Sequence, residues 1–225
     1  MQYSVRMSST PEDRLTRRAR ILDSAIAVIA SQGAGVSFGA IAGAAGVSPS
    51  LITYHFRTRK DLLTAVAEAL DTEMNEVLRP VATAPTAANG LRLLVRLFLQ
   101  QARERPDVVI AARALVHAVP AEQRRDSPAI APDRGIEPVS DLIADAQAAG
   151  EVPPGPAQPL AIALLGALEA LAFRIASGQA AEQTGTVGGQ YALRLLGLQD
   201  EQTPRHQPRA RGPRAGQPIH QVSPR

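Results

Sequence analysis

Between Gly35 and Leu70 the chain gathers hydroxyl, aromatic and basic side chains: Ser37, Ser48, Pro49, Ser50, Thr53, Tyr54, His55, Thr58, Arg59 and Lys60. Ser and Thr hydroxyls bond base edges or phosphates, and a Thr methyl or a Pro ring packs on a thymine methyl. Tyrosine and basic groups suit a sugar-phosphate backbone. The chemistry on offer is non-covalent recognition of a nucleic acid. No Arg or Asn lies between Pro49 and His55, so this set holds no strong guanine reader. Discrimination per base pair is expected to be modest, with DNA shape, water and a flanking arm supplying the remainder.

Bond-making chemistry is poorly provided for. There is no cysteine, which removes disulfides, thiolate metal sites and cysteine nucleophiles. Of four histidines (His55, His117, His206 and His220) none has a metal-type spacing with a carboxylate. Metal-protease, phosphate-loop and nucleophile-elbow motifs are missing. Asp141 and Asp145 share a helix face at i, i+4 but have no histidine partner, so they read as a solvated face. No catalytic residue, metal or cofactor is expected.

The recognition residues need two short helices to hold them. Ser37 caps an apolar helix built on Phe38, Ile41, Ala42 and Ala45. Gly46 and Val47 make a tight turn, and Ser48 caps a second helix with Pro49 at its first position. Cap hydroxyls satisfy orphan backbone donors, and Pro loses nothing where no backbone partner exists. Two such helices form a helix-turn-helix, whose second helix can enter a major groove. Ser48, Pro49, Ser50, Thr53 and Tyr54 then face the groove, with Leu51 at its edge. Ala42 and Ala45 are small where the helices approach, while Ile41, Val47, Ile52 and Phe56 fill a core. An ordinary helical hairpin uses similar Ala/Gly pairs. Thr58 caps the next helix, whose N-terminal amides and dipole suit phosphate, with Arg59 and Lys60 adding charge. Ser37 offers the same geometry. Arg14, Arg17, Arg18 and Arg20 are placed either to clasp the duplex or to form a solvated face.

Gly46-Val47-Ser48, Leu51-Ile52-Thr53-Tyr54-His55-Phe56 and Thr58-Arg59-Lys60-Asp61-Leu62-Leu63 together resemble the TetR family of bacterial transcriptional regulators. The resemblance covers roughly residues 14 to 70, and the remainder only in length and helical texture. In that family the positions of Tyr54 and His55 contact the sugar-phosphate backbone. This chain departs at Thr53, where many members carry Tyr, at Gly39, where many carry a polar or basic residue, and at Lys60, a position commonly acidic. The resemblance implies a homodimer on a palindromic double-stranded DNA operator and a small-molecule effector held in the helical body.

Composition agrees with a helical protein. Hydrophobic residues make up 45% of the 225-residue chain and aromatics only 3%, so the core must come from Leu, Ile, Val and Ala, which suits close-packed helices. Charge is divided. Residues 1–60 hold eight basic against three acidic groups, residues 61–199 eleven against sixteen, and residues 200–225 five against two. A phosphate backbone attracts the first segment and repels the second, which orients an approaching molecule. Without a signal-like N-terminus the expected address is the cytoplasm. Leu160 to Ala176 falls just short of a bilayer span and is interrupted by Glu169 and Arg174, so it is expected to be a buried or pairing helix and not a membrane segment.

The full expectation is all-α, with about nine helices. Residues 1–10 form a disordered arm, 11–57 the helix-turn-helix domain, 58–199 a ligand-binding and dimerisation body, and 200–225 a disordered basic tail. Helices are expected at about Pro11 to Gln32, at the two short segments, and at Arg59 to about Arg79. Others follow at Thr86 to Glu104, Val108 to Val119, Ile136 to Ala149, Leu160 to Ser177 and Val187 to Leu198. A proline-rich break is expected over 80–85, a broken helix or loop over 120–135, and a flexible glycine-rich join over 185–189.

The last two helices read as the pairing surface. Leu164, Leu168, Leu171 and Ile175, with Tyr191 and Leu195, would complete a four-helix bundle with a second copy. Candidate walls of an effector cavity are Arg96, Phe98, His117 and Phe173. The leading expectation is a ligand-responsive homodimeric repressor. The alternative is a small-molecule-binding or scaffold bundle that has lost DNA binding.

Overall fold

The computed structural model describes residues 11–118, 135–179 and 182–199. The expected N-terminal arm, most of the 120–135 segment and the basic tail lie outside the described residues. Within them the chain is all-helical, with no strand. Among the described residues nine α-helices run in order: α1 (Pro11–Gln32), α2 (Phe38–Ala45), α3 (Pro49–His55), α4 (Arg59–Leu78), α5 (Ala87–Glu104), α6 (Pro106–Ala118), α7 (Ile136–Ala148), α8 (Ala157–Ala176) and α9 (Glu182–Arg194). A 3-10 turn over Arg79–Thr83 joins α4 to α5, so the prolines tighten this stretch without opening it into a loop.

Local chemistry sets the ends. Ser37 Oγ accepts from the Ala40 amide at 3.2 Å and caps α2. Gly46 closes α2 in the left-handed region at φ 66°. Its amide donates to Gly43 O at 3.3 Å and that of Val47 to Ala42 O at 3.0 Å, a Schellman closure. The cap of α3 differs from expectation: Ser48 has the extended backbone of a cap but makes no side-chain cap bond. Its hydroxyl instead pairs with that of Ser50 at 2.9 Å.

Two apolar clusters form, and they do not divide at residue 57. The first unites α1, α2, α3 and α4 through Ile21, Ile26, Ile41, Ile52, Phe56 and Val66, and it also takes Val108, Ala111 and Leu115 from α6. The second joins α5, α7, α8, α9 and the turn after it through Leu91, Leu94, Ile143, Leu164, Leu168, Leu193 and Leu196. Helix α6 is thus wedged between them, packing on α1 and α4 on one side and α8 on the other.

The 185–189 region is no join. Gly185, Gly188 and Gly189 lie inside α9, where their missing side chains let it approach α5 and α8. A Cβ on Gly188 would meet Leu171 Cδ2 at 2.5 Å, and one on Gly189 would meet Leu99 Cδ1 at 3.0 Å. Sequence spacing alone reads such a cluster as a breaker, because the close approach that favours it is a tertiary fact.

Candidate nucleic-acid interface

Helix α3 turns one edge inward and the rest outward. Ile52 is fully buried and Phe56, its C-cap, nearly so. Ser48, Pro49, Ser50, Thr53 and Tyr54 are exposed, Tyr54 by 68%. Burial of the inner edge fixes the helix to α1 and α2, so the outer edge is presented by a rigid support. The guanidinium of Arg18 on α1 lies 5.3 Å over the Phe56 ring, which ties one member of the basic run to the core while Arg17 and Arg20 stay exposed.

The hydroxyls on this edge have defined states. Thr53 Oγ1 donates to Ser50 O at 3.0 Å, leaving its lone pairs to accept from outside. Leu51, expected at the groove's edge, is half-buried against the first cluster. His55 is half-buried, with its ring 5.3 Å from Tyr54 in an edge-to-face arrangement and 6.2 Å from Phe56. That geometry fixes the aromatic pair at the end of α3.

At the start of α4, Thr58 and Asp61 make a reciprocal capping box. The Thr58 amide donates to Asp61 Oδ2 at 3.0 Å, and the Asp61 amide donates to Thr58 Oγ1 at 3.1 Å. The first two amides, of Arg59 and Lys60, are those a helix cannot pair internally, but the Asp61 carboxylate already sits at this end. The anion-binding capacity of the terminus is thereby reduced relative to an uncharged cap. Arg59 Nη2 donates to Ala34 O and straps α4 to the turn after α1. Lys60 remains exposed. Among the described residues no group of three His, Asp or Glu is gathered that could hold a metal ion.

The residues expected to wall an effector cavity differ in their surroundings. His117 is exposed at the end of α6 and Phe98 half-buried against the second cluster. Phe173 lies under the Arg113 guanidinium, 4.1 Å from its ring centre. Arg96 lines a cleft of about 530 Å³ between the 3-10 turn, α5 and α9. Sequence reasoning missed the rest of that lining, including Arg92, Leu93 and Arg103. The i, i+4, i+11 spacing of the three arginines on α5 was the available signal.

The expected pairing residues also separate. Leu164 and Leu168 are fully buried within a single copy, where they fill the protomer's own core. Leu171 and Ile175 are half-buried, packed against the same cluster. Tyr191 and Leu195 are exposed, by 61% and 50%, and Val187 and Ile162 join them. Helix α8 is long and apolar enough to cross a membrane by length and composition alone, but its apolarity is split between an inner face in the core and an outer face of Ile162, Ala163, Gly166 and Ala170.

Comparison with known proteins accords with this geometry. Residues 21–66 match the model of bacterial regulatory proteins of the tetR family. Among curated protein sequences none matches the chain. A protein described as a TetR-family transcriptional regulator from Rhodococcus sp. superposes with a TM-score of 0.67 at 27% identity, covering 80% of this chain and 98% of the other. A TetR-like transcriptional regulator from Rhodococcus sp. RHA1 gives 0.65 at 22%, covering 80% and 93%. The transcriptional regulator FadR from Bacillus subtilis, solved in complex with stearoyl-CoA, gives 0.67 at 18%, covering 80% and 97%. The chain therefore carries the tetR-family domain of bacterial regulatory proteins at residues 21–66, on the all-helical fold of TetR-family transcriptional regulators.

Proposed function

We propose that this protein is a homodimeric, ligand-responsive repressor that binds a palindromic operator in double-stranded DNA and acts in the cytoplasm. The observation that carries the reading is the division of α3: Ile52 and Phe56 are locked in the core while Ser48, Pro49, Ser50, Thr53 and Tyr54 form one exposed edge. The basic N-terminal segment on an acidic body supports it, since the field draws that edge toward phosphate. Tyr54, His55, Arg59 and Lys60 are proposed to meet the backbone, with Ser37 and Thr58 offering cap positions beside it.

Pairing is proposed through the outer faces of α8 and α9 and the turn that follows α9, where Ile162, Val187, Tyr191 and Leu195 are exposed. Apolar side chains of that size left in water favour burial against a second copy. Two heads fixed in one dimer read half-sites about one helical turn apart, or a multiple of that.

Electrophoretic mobility shift and footprinting on the DNA flanking the protein's own coding region test the reading. The expected result is a specific, salt-sensitive complex that Tyr54→Ala weakens while the folded fraction is unchanged. A protein that protects no site, even in dilute salt, is not this regulator.

A further inference from the structure

We propose that Thr53 is the specificity-determining residue of the DNA-facing edge and that it reads thymine. Its γ-methyl, with the Pro49 ring beside it, takes the C5 methyl of one thymine in each half-site. The inference rests on the reading of the chain as a DNA-binding regulator, and it deepens that reading by naming the base and the side chain that selects it.

Helix α3 has the sequence PSLITYH, with no Arg, Lys, Asn, Gln, Asp or Glu. A forked cation reads guanine, a forked amide reads adenine and a carboxylate reads cytosine. Helix α3 offers none of the three. Its exposed edge instead presents the Pro49 ring, Tyr54 and the aliphatic hydroxyls of Ser50 and Thr53, with that of Ser48 at the cap.

The protons of those hydroxyls are mostly committed. Thr53 Oγ1 donates to Ser50 O at 3.0 Å, with Pro49 O beside it at 3.5 Å. The Ser48 and Ser50 hydroxyls share one hydrogen bond of 2.9 Å. Ser48, Ser50 and Thr53 therefore keep a single proton between them for an outside acceptor. Guanine, adenine, thymine and phosphate all present acceptors, so one hydroxyl donor separates them poorly. The C5 methyl is different, because among the four bases only thymine carries it into the major groove.

Thr53 is built to receive that methyl. Oγ1 and Cγ2 both branch from Cβ, so the bond that fixes the hydroxyl fixes the γ-methyl as well. Pro49 lies four residues earlier, on the same face of the helix, and such pairs have Cβ atoms about 5–6 Å apart. Both residues are exposed. A methyl group seated on this strip touches the ring and Cγ2 together, at carbon–carbon separations of about 3.5–4 Å. The strip is also stiff. The proline ring is rigid, the threonine is tied to its own helix, and buried Ile52 and Phe56 hold α3 against the head. Little side-chain freedom is lost when a base arrives.

Selection from a randomised duplex library with the full-length protein supplies the site. Each thymine in it is then replaced by deoxyuridine, which deletes only the C5 methyl. Replacing the read thymine in both half-sites should weaken the parent by about fifteenfold, the worth of one methyl withdrawn from water in each half. Thr53→Ser keeps the hydroxyl and deletes the γ-methyl, so it should lose most of that penalty. Thr53→Val keeps the branched shape without the hydroxyl and should retain the preference for thymine over uracil. Tolerance of uracil at every thymine overturns the proposal, as does a penalty as large in Thr53→Ser as in the parent, or its loss in Thr53→Val. Selected half-sites without thymine also overturn it, while leaving the DNA-binding reading intact. Enrichment of no duplex, even in dilute salt, sinks the regulator reading and the base assignment with it.

Discussion

Glu73 of α4 accepts a 2.9 Å hydrogen bond from Arg105, the residue between α5 and α6. The same oxygen, Oε1, accepts from Gln101 Nε2 at 2.7 Å, and Gln101 is only 5% exposed. Arg105 in turn holds Asp107 through paired contacts of 3.1 and 3.2 Å. Helix α4 begins in the head and ends in the body, so this cluster fastens it to the corner from which α6 reaches back into the head's core.

Glu73→Ala should therefore cost more than a surface substitution. It leaves the buried Gln101 amide without its acceptor and removes one partner of Arg105. The expected loss is about 1–3 kcal/mol in urea unfolding. Glu73→Gln keeps an acceptor for the amide and should lose less. Equal losses for the two would mean that the carboxylate charge, and not the acceptor, is what matters.

The Asp107 carboxyl titrates below its ordinary value. Burial alone pushes it up, but the Arg105 hydrogen bond and charge, with the backbone amides at the start of α6, outweigh that. Arg105 is held above its usual value, mainly by its bond to Asp107, and stays charged throughout. A lowered folded-state carboxyl stabilises the protein above the unfolded value near ~4, and that stability is lost as pH falls through the folded value. Asp107→Asn should destabilise modestly at pH 7, by no more than about 1 kcal/mol for so exposed a pair. The gap between parent and variant should close in acid; thermal melts from neutral to below pH 4 measure it, and a gap independent of pH refutes the cause.

Glycine substitutions should split by environment. Gly43, exposed on α2, has nothing within 4 Å of an added Cβ, so Gly43→Ala should gain about 0.5–1 kcal/mol from helix propensity alone. Gly188→Ala meets both methyls of Leu171, at 2.5 and 2.9 Å. There the clash should exceed the propensity gain and destabilise by about 1–3 kcal/mol. Chemical denaturation of both variants reads the two signs.

The pairing proposal separates exposed from buried leucines. A Tyr191→Glu, Leu195→Glu double variant should sediment as a folded monomer, because both side chains are exposed in one copy. Leu168→Glu should unfold the protomer instead, since it places a charge in the core without a partner. A dimer that survives the double variant places the interface elsewhere.

The helix-turn-helix was legible in the sequence because its signals are local. A capping hydroxyl at Ser37, a left-handed glycine at Gly46, Pro49 at a first turn and the spacing of Ile41, Ile52 and Phe56 each depend on neighbours a few residues away. The helical class followed from periodicity in the same way, and the family resemblance from the run that includes Thr53, Tyr54, His55 and Phe56. Long-range relations were not legible. Leu164 and Tyr191 are both apolar residues on apolar helices, and only packing decides that the first fills its own core and the second faces water. The glycines of α9 read as a break until Leu171 and Leu99 are seen against them. Arg59 also straps α4 to Ala34 O, a long-range contact that its own neighbourhood does not signal. Sequence by itself determined the elements and the chemistry each carries, since backbone caps and hydrophobic period act within a few residues. Tertiary structure alone decided which faces meet, where the arginine-lined cleft opens and how α6 bridges two cores, since those depend on contacts between residues far apart in the chain.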